Sequence, residues 1–400
     1  MTMAIVERVI GGAGTGKTRF ILDRMCEIQK KFRLEPEQIG FSTFTRMARR
    51  EMTVRAAGRW GVSEKFLNRD GYFRTCHSLC LRQLKVVPDQ LLVDDTKSRE
   101  WIANRVGIEL KVRLDEGGNP FFEPMGKNDS EGAAALMAWQ LARRTLTPMR
   151  EWIRVRQEQG EPVVSWDAVN DVVQRYETAK RVLDRLDFDD ILAQFAGLSF
   201  TVEGIRDVHP RGELPDGVEA WFLDECQDST ALMNRVFQRL AAGANVRYCL
   251  LAADPYQALY SYAGASADHF LAWPGQESIM PRSYRCPQVV MALGERCLQQ
   301  MHRGYQDRGI APAPHAGQVV QAGSSEEAIG EHVVADQPCL ILARCSYSLA
   351  SYADRLREAR IPFTDLQGGP SAIIAGFRAI WDLGHGEPVY GQDWKEAILM

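Results

Sequence analysis

The sequence predicts an α/β protein organised around a parallel sheet, and three features of the chain support this fold class. Residues 3–10 have the pattern of a strand, and the glycine-rich residues 11–18 connect them to a helix. Residues 218–223 and 246–253 are mainly apolar runs, which is typical of strands buried on both faces of a parallel sheet. Between these segments, residues 87–186 lose the strand pattern and read as mostly helical, so we predict a helical insertion in the α/β domain.

The composition is that of an ordinary globular protein. The chain has 400 residues, enough for two or three domains, with 45% hydrophobic and 25% charged residues. Its net charge of −4 excludes a general attraction to nucleic acid, so any such surface has to be local. Nine cysteines without a Cys-x-x-Cys pair argue against a zinc ribbon or a disulfide framework and favour a reducing compartment. Because we find no signal-peptide pattern and no apolar run near ~18 residues, we expect a cytoplasmic protein that does not associate with membranes.

Residues 11–18 fit the pattern Gly-x4-Gly-Lys-[Ser/Thr] of a phosphate-binding loop. Glycines allow the tight turn that brings backbone N–H groups against phosphate oxygens, and the helix that follows adds its dipole. The lysine reaches the β- and γ-phosphates, and the hydroxyl after it is a ligand for Mg²⁺. The alternative, a chance glycine-rich turn, does not explain the flanking strand and helix. The predicted nucleotide site comprises Gly11, Gly12, Ala13, Gly14, Thr15, Gly16, Lys17 and Thr18.

Carboxylates directly follow the apolar run 218–223. A buried strand that ends in acidic residues places them at the edge of the sheet where open α/β proteins bind ligands. There Asp224 is positioned to hold Mg²⁺, and Glu225 to orient and deprotonate an attacking water. An acidic turn alone is common, but its combination with a phosphate-binding loop predicts hydrolysis of a nucleoside triphosphate.

A second polar segment follows the apolar run 246–253. Gln257 near this strand end can sense a γ-phosphate, and Tyr260 and Tyr262 offer faces on which bases stack. The alternative is a plain turn with two packed tyrosines. Earlier in the chain, residues 39–45 predict another strand, which leads into an arginine-rich helix. That helix either binds nucleic-acid phosphates or is a solvated basic helix.

Residues 187–190 return the chain to the α/β pattern with three carboxylates. They either form a metal site or begin a helix, whose N-terminus favours acidic residues, and we prefer the helix. His77, in a short polar turn, is interpreted as structural because no cysteine or serine pattern accompanies it. Four tryptophans of the insertion are interpreted as core residues rather than base-stacking platforms, namely Trp101, Trp139, Trp152 and Trp166.

The order of these motifs resembles that of the superfamily 1 helicases of the UvrD/PcrA/Rep type, over about residues 5–370. In chain order, residues 11–18 resemble the Walker A motif, 42–52 motif Ia, 75–78 motif Ic, 224–228 the DExQD box, 254–265 motif III and 283–285 motif IV. The resemblance implies a RecA-like P-loop NTPase domain with a parallel sheet and a helical insertion, followed by part of a second RecA-like domain. The implied domains are residues 1–86 with 187–280, the insertion 87–186, and the partial second domain 281–400. A strand at residues 340–344 and a helix at 350–359 are predicted in the last of these.

The resemblance also implies a role for individual residues. Lys17, Glu225, Gln257 and Arg285 would act in ATP hydrolysis, with Arg285 as an arginine finger that stabilises charge in the transition state. Tyr284 would stack on the adenine, and Thr18 and Asp224 would hold Mg²⁺. The residues implied to line the path of single-stranded DNA are Thr43, Phe44, Thr45, His77, Tyr260 and Tyr262.

The activity implied by the resemblance is that of an ATP-dependent DNA helicase or translocase. Such a protein uses ATP and Mg²⁺, moves 3′→5′ on single-stranded DNA, and unwinds duplexes at junctions between single and double strands. One alternative is a nucleotide-gated DNA-binding or interaction module without unwinding activity. Another, weaker alternative is a small-molecule kinase, in which Glu225 and the segment resembling motif III would have no evident task.

The sequence departs from the family pattern in three places. No counterpart of the family's upstream glutamine motif, which reads adenine, precedes residue 11. Ala263 stands where many members carry a basic residue that contacts DNA. Nothing up to Met400 resembles motifs V and VI, so we expect the second motor domain to be incomplete in this chain and its own activity to be reduced.

Overall fold

The chain divides into two compact units, residues 1–317 and 318–400. The computed structural model describes residues 4–93, 96–108, 113–114, 120–121, 131–161, 163–301, 305–324, 327, 329, 339–343, 346–358, 361 and 363. Every residue of the predicted site belongs to the first unit.

The first part of the chain alternates strands with helices. Its elements are β1 (Ile5–Ile10), α1 (Lys17–Phe32), β2 (Ile39–Thr43), α2 (Arg46–Trp60), α3 (Glu64–Arg69), β3 (Tyr72–Thr75) and α4 (Cys76–Leu84). Helices α2 and α4 begin at threonines whose hydroxyl oxygens accept a backbone N–H, so each helix start follows directly from a local cap.

The insertion is mainly helical in its described residues, as predicted. Its elements are α5 (Thr96–Val106), a two-stranded antiparallel pair β4 (Arg113–Leu114) and β5 (Pro120–Phe121), α6 (Glu131–Arg144), α7 (Met149–Glu158) and α8 (Trp166–Val182). These helices share a core of their own, in which Trp139 and Trp152 are buried and Trp101 and Trp166 pack against it. The interpretation of the tryptophans as core residues is therefore confirmed.

The chain then returns to the α/β pattern. Its elements are α9 (Phe188–Ala196), the hairpin β6 (Leu198–Thr201) and β7 (Gly204–Asp207), β8 (Ala220–Leu223), α10 (Ala231–Ala241), β9 (Tyr248–Ala253), α11 (Asp268–Leu271), β10 (Gln276–Ile279), β11 (Arg282–Pro287), α12 (Gln288–Met301) and β12 (Ala311–Ala313). Asp187 caps α9 and forms a reciprocal capping box with Asp190, so the acidic segment begins a helix, as we preferred.

Six strands form one sheet in the order β10-β1-β9-β8-β2-β3, and every neighbouring pair is parallel. This arrangement confirms the predicted α/β class. Alternate residues of the inner strands face opposite sides, with Trp221 and Leu223 in one core and Ala220 and Phe222 in the other. Both faces are therefore buried. Because all the strands run the same way, the loops after β1, β8 and β9 emerge at one edge of the sheet.

The second unit contributes helix α13 (Ser346–Glu358), which overlaps the helix predicted at residues 350–359. The strand predicted at residues 340–344 is wrong for its described part, because residues 340–343 belong to no strand. The sequence also predicts a loop at residues 115–120, of which the structure describes only Pro120, the first residue of β5. Residues 115–119 and 364–400 lie outside the described residues. The division into one motor domain, an insertion and a partial second domain stays a prediction. Among the described helices, none combines the length and the apolar character that a membrane span requires.

Candidate nucleotide-binding site and aromatic surface

The loop between β1 and α1 has the conformation that its glycines permit. Gly14 and Gly16 adopt left-handed backbone angles, with φ of 69° and 84°. The loop is closed by the Thr15 hydroxyl, which donates to the Gly12 carbonyl oxygen at 2.9 Å. Lys17 begins α1 and donates through Nζ to the Gly11 carbonyl oxygen at 3.0 Å. No described side chain caps α1, so its first N–H groups stay available to an anion.

Asp224 directly follows β8 at the same edge of the sheet. Its side chain is buried, and its Oδ1 accepts the Glu225 backbone N–H at 2.9 Å. Burial, and then the charge of Glu225, raise the pKa of Asp224 to about 7, although the nearby Lys17 ammonium opposes the rise. Asp224 forms no ion pair with any described residue. A buried carboxylate with so little compensation suits a divalent cation, and Thr18 lies in the adjacent first turn of α1.

Glu225 has a left-handed backbone with φ of 54°, which is uncommon for a residue with a side chain. The Gln227 amide donates to Glu225 Oε2 at 2.7 Å and to Asp228 Oδ2 at 3.1 Å. Its oxygen accepts the backbone N–H of Asp254, which follows β9, at 3.2 Å. Gln227 therefore fixes the acidic segment against the neighbouring strand end, a role that the sequence analysis did not assign.

Asp254 is buried at the end of β9 and gathers several donors. It accepts hydrogen bonds from the Gln257 amide and the Arg308 guanidinium, and from the Tyr256 backbone N–H at 3.2 Å. Gln257 is thereby held beside the phosphate-binding edge. No pattern in the sequence points to Arg308, and Asp254 was predicted only as the first residue of the segment 254–265. A carboxylate placed directly after a buried strand was the one available signal.

Strand β11 brings Tyr284 and Arg285 to the phosphate-binding loop. The Tyr284 backbone N–H donates to the Gly14 carbonyl oxygen at 2.8 Å, and the Ser283 hydroxyl donates to that of Ala13 at 2.8 Å. A Cβ added to Gly14 would lie 2.3 Å from the Cβ of Arg285, so only glycine fits this approach. A Cβ built on Gly16 would lie 4.0 Å from Cδ2 of Tyr284, and Tyr284 is 70% exposed, as a stacking residue requires.

Three of the aromatic residues predicted to contact DNA lie together. The ring centroids of Phe44 and Tyr260 are 4.8 Å apart, and those of Tyr260 and Tyr262 are 6.0 Å apart. Tyr262 is 43% exposed. Asp228 accepts the backbone N–H of Leu259 at 3.1 Å, which connects this aromatic surface (Phe44, Tyr260 and Tyr262) to the acidic segment.

The other residues predicted to contact DNA have local structural surroundings. Thr43 is fully buried, and its hydroxyl has no partner among the described residues. The Thr45 hydroxyl oxygen caps α2 by accepting the Ala48 N–H at 3.1 Å. His77 packs edge-on against Phe188 at 5.3 Å, and burial lowers the pKa of its imidazole to about 4. His77 is therefore neutral at pH 7, and a role for these three residues in DNA binding stays a prediction.

Comparison with known proteins identifies the family. The UvrD/REP helicase N-terminal domain model matches residues 6–276. The chain is 25% identical over 395 residues to the ATP-dependent DNA helicase UvrD2 of Mycobacterium tuberculosis (strain ATCC 25618 / H37Rv), covering 90% of this chain and 53% of that protein. It is 24% identical over 266 residues to the ATP-dependent DNA helicase PcrA of Bacillus subtilis (strain 168), covering 66% of this chain and 33% of that protein.

A third relative is the probable DNA helicase II homolog of Mycoplasma capricolum subsp. capricolum, which is 23% identical over 275 residues and is covered to 34% of its length. The chain therefore spans between a third and about half of the length of these relatives. The family match extends from the strand before the phosphate-binding loop to the last strand of the sheet, so it includes both strand ends that carry the buried carboxylates. On this match, the chain belongs to the UvrD/REP helicase family.

Proposed function

We propose that this chain carries the ATP-hydrolysing site and part of the DNA-binding surface of a UvrD-type DNA helicase or translocase. One observation carries the proposal. Neighbouring parallel strands β1, β9 and β8 bring the phosphate-binding loop, Asp254 with Gln257, and Asp224 with Glu225 to one edge of a single sheet. Phosphoryl transfer needs a phosphate cradle, a cation ligand and a water-orienting base in one place.

Within this proposal each residue at that edge has one task. The backbone of the loop and Lys17 bind the phosphates, while Tyr284 offers its exposed ring to the adenine. Glu225 orients and deprotonates the attacking water, and its hydrogen bond from Gln227 keeps one carboxylate oxygen directed. Gln257 and Arg285 approach the terminal phosphate.

Mg²⁺ is the cation that fits Asp224 and Thr18. Oxygen ligands and a buried carboxylate with a raised pKa are the donor set that this ion prefers. When bound, it neutralises charge that develops on the phosphate oxygens. Asp224 would hold it directly or through water, and the same ion would remove the cost of burying that carboxylate.

The aromatic surface completes the proposal on the DNA side. Base stacking on Phe44, Tyr260 and Tyr262 tolerates any sequence, as a translocase requires. The hydrogen bond between Asp228 and Leu259 provides a physical route from the catalytic carboxylates to this surface. Movement 3′→5′, unwinding, preference for single-strand/double-strand junctions and a cytoplasmic location are parts of the same proposal, inferred from the family.

The test is steady-state ATP hydrolysis with Mg²⁺, with and without single-stranded DNA. We expect DNA to stimulate turnover, Lys17→Ala to lower it by about 10²–10³-fold, and Glu225→Gln to lower it by about 10²–10⁴-fold while ATP still binds. Lys30→Ala, an exposed lysine of the same helix, is the matched control and should change nothing.

Unchanged turnover in Lys17→Ala would disprove the assignment of the loop. Nucleotide binding without DNA-stimulated turnover would instead favour the nucleotide-gated DNA-binding module. Stimulation by a small phosphate acceptor rather than by DNA would favour a kinase.

A further inference from the structure

Arg308 lies against the phosphate-binding loop, although it comes from the segment between α12 and β12. A Cβ built on Gly12 would lie 3.4 Å from Nη2 of Arg308 and 2.9 Å from Cδ1 of Ile310. The Arg308 side chain is 17% exposed. Its other terminal nitrogen, Nη1, forms an ion pair with Asp254. The guanidinium therefore stands between a loop that binds phosphate and a buried carboxylate.

The segment around Arg308 is held in place by Tyr256. The Tyr256 hydroxyl oxygen accepts the Gln306 backbone N–H at 3.0 Å, and the rings of Tyr256 and Tyr305 lie 5.2 Å apart. The Arg308 guanidinium carbon itself lies 4.8 Å from the centre of the Tyr256 ring. Tyr256 is two residues from Asp254, so the same short segment fixes both partners of the ion pair.

The ion pair between Arg308 and Asp254 can break without leaving the buried Asp254 carboxylate unpartnered. Asp254 also accepts the Gln257 amide and the Tyr256 backbone N–H, so it keeps two donors when Arg308 leaves. Within the described part of the chain, only Nη1 of Arg308 has a hydrogen-bond partner. The guanidinium has five N–H donors in a planar fork that matches a phosphate, so Nη2 has capacity left on the side of Gly12.

We propose that Arg308 senses the terminal phosphate of a nucleoside triphosphate bound to the loop of residues 11–18. In the nucleotide-free protein the guanidinium pairs with Asp254, and when the triphosphate binds it turns to the terminal phosphate. This inference rests on the proposed function, because it requires the loop to bind a nucleotide. It adds a phosphate-binding residue and a nucleotide-dependent contact to that site.

The exchange of partners by Arg308 also connects nucleotide binding to the aromatic surface. Asp254 holds Gln257, whose segment leads directly to Tyr260 and Tyr262. Loss of the Arg308 ion pair therefore changes the carboxylate that positions this segment. An ADP-bound site offers no γ-phosphate, so Arg308 stays with Asp254 and the segment keeps its resting contacts.

The test is calorimetric binding of Mg²⁺ complexes of AMP-PNP and ADP to the full chain. We expect Arg308→Ala to weaken AMP-PNP binding about tenfold, which corresponds to ~1.4 kcal/mol, and to change ADP binding by less than about twofold. Arg308→Lys keeps a positive charge but loses the planar guanidinium fork. Its affinity for AMP-PNP should therefore lie between that of the unchanged chain and that of Arg308→Ala. Asp254→Asn removes the competing carboxylate and should raise the ratio of AMP-PNP affinity to ADP affinity above that of the unchanged chain.

Control variants separate this inference from the proposed function. Arg296→Ala, an exposed arginine of α12, should leave both affinities unchanged. If Lys17→Ala does not weaken the binding of either nucleotide, the proposed function is overturned. If Lys17→Ala weakens the binding of both nucleotides while Arg308→Ala weakens the binding of neither, or of both equally, only the role of Arg308 is overturned. Equal losses in Arg308→Ala and Asp254→Asn would likewise overturn it, because they would make the ion pair a purely structural clamp.

Discussion

Two of the groups of buried carboxylates in the described part of the chain differ in the cations around them. At the start of α9, Arg143 donates to Asp187 at 2.7 Å and to Asp190 at 3.0 Å. The Lys180 ammonium donates to the same two carboxylates at 2.9 and 2.7 Å. Although burial opposes ionisation, these cations hold the pKa of Asp187 well below its usual value, whereas burial and the charge of Asp187 raise the pKa of Asp190 to about 7.

At the end of β8, no cation of the described residues forms an ion pair with the buried carboxylate of Asp224. Burial and the charge of Glu225 raise the pKa of Asp224 to about 7, and the nearest cation, Lys17, is engaged with the Gly11 carbonyl oxygen. One group is therefore internally neutralised, and the other has a deficit of positive charge. Such a deficit is what a site leaves for a metal ion, whereas a paired cluster joins elements of the fold.

Proximity of carboxylates alone does not separate the two cases. Oxygens of Glu177, Asp187 and Asp190 lie within 4.8 Å of one another, which is close enough for a metal ion. Lys180 and Arg143 already donate to this group, so the protein supplies its own cations there. The group ties α6 and α8 of the insertion to α9 of the sheet domain.

The largest expected effect comes from a substitution that breaks the paired group. Arg143→Met should lower the free energy of unfolding by ~3–5 kcal/mol, because it leaves Asp187 and its neighbours buried without their main partner. Thermal and urea denaturation followed by tryptophan fluorescence would measure the loss. Arg154→Met is the control, since its ion pair with Glu158 is exposed and should contribute less than ~0.5 kcal/mol. Similar losses in the two variants would contradict the distinction between buried and exposed pairs.

A somewhat smaller effect of opposite sign is expected at the unpaired group. The folded pKa of Asp224 lies above its ordinary value, so the charged form costs stability, and the cost grows as the pH rises from about 4 towards 8. Without nucleotide and Mg²⁺, Asp224→Asn should therefore stabilise the fold on the order of 2–4 kcal/mol at pH 8 and hardly at pH 4. Denaturation at both pH values tests this. A destabilised variant at pH 8 would mean that Asp224 is paired after all.

The smallest expected effect is a change in DNA affinity, and it comes from a comparison of buried and exposed aromatic residues. Phe41 and Phe73 pack 5.6 Å apart in the core, whereas Tyr262 lies at the surface beside Tyr260. Tyr262→Ala should reduce affinity for single-stranded DNA of any sequence by ~1–3 kcal/mol while leaving stability nearly unchanged. Fluorescence anisotropy measures the affinity, and Tyr262→Phe, which keeps the ring, should bind normally. Equal binding by the alanine variant would make Tyr262 a packing residue.

The prediction of the sheet succeeded for its interior and failed at its edges. The inner strands β1, β2, β8 and β9 were all predicted. Every residue of β8 and β9 is buried, and burial on both faces favours a mainly apolar sequence. The two edge strands, β3 and β10, were missed. Strand β10 is largely exposed and β3 is only partly buried, so neither needs an apolar sequence to hold its place. Edge strands are specified by the neighbour they pair with, which a local pattern does not contain.

The sequence by itself determined the features that depend on consecutive residues. These are the phosphate-binding loop, the buried inner strands, the carboxylates that follow β8, and the capped start of α9 at Asp187. Each follows from backbone sterics, burial or capping within a few positions, so spacing alone is informative.

Only the tertiary structure decided which charges are paired. Arg143 and Asp187 are 44 residues apart, and Arg308 and Asp254 are 54 apart, yet each pair is in contact. The sequence contains the same residue types at many other positions. The Coulomb energy of a pair depends on distance and burial, and both are set by how the insertion and the β11–β12 segment pack on the sheet domain. That packing gives one acidic group its own cations and leaves the other without an ion pair among the described residues.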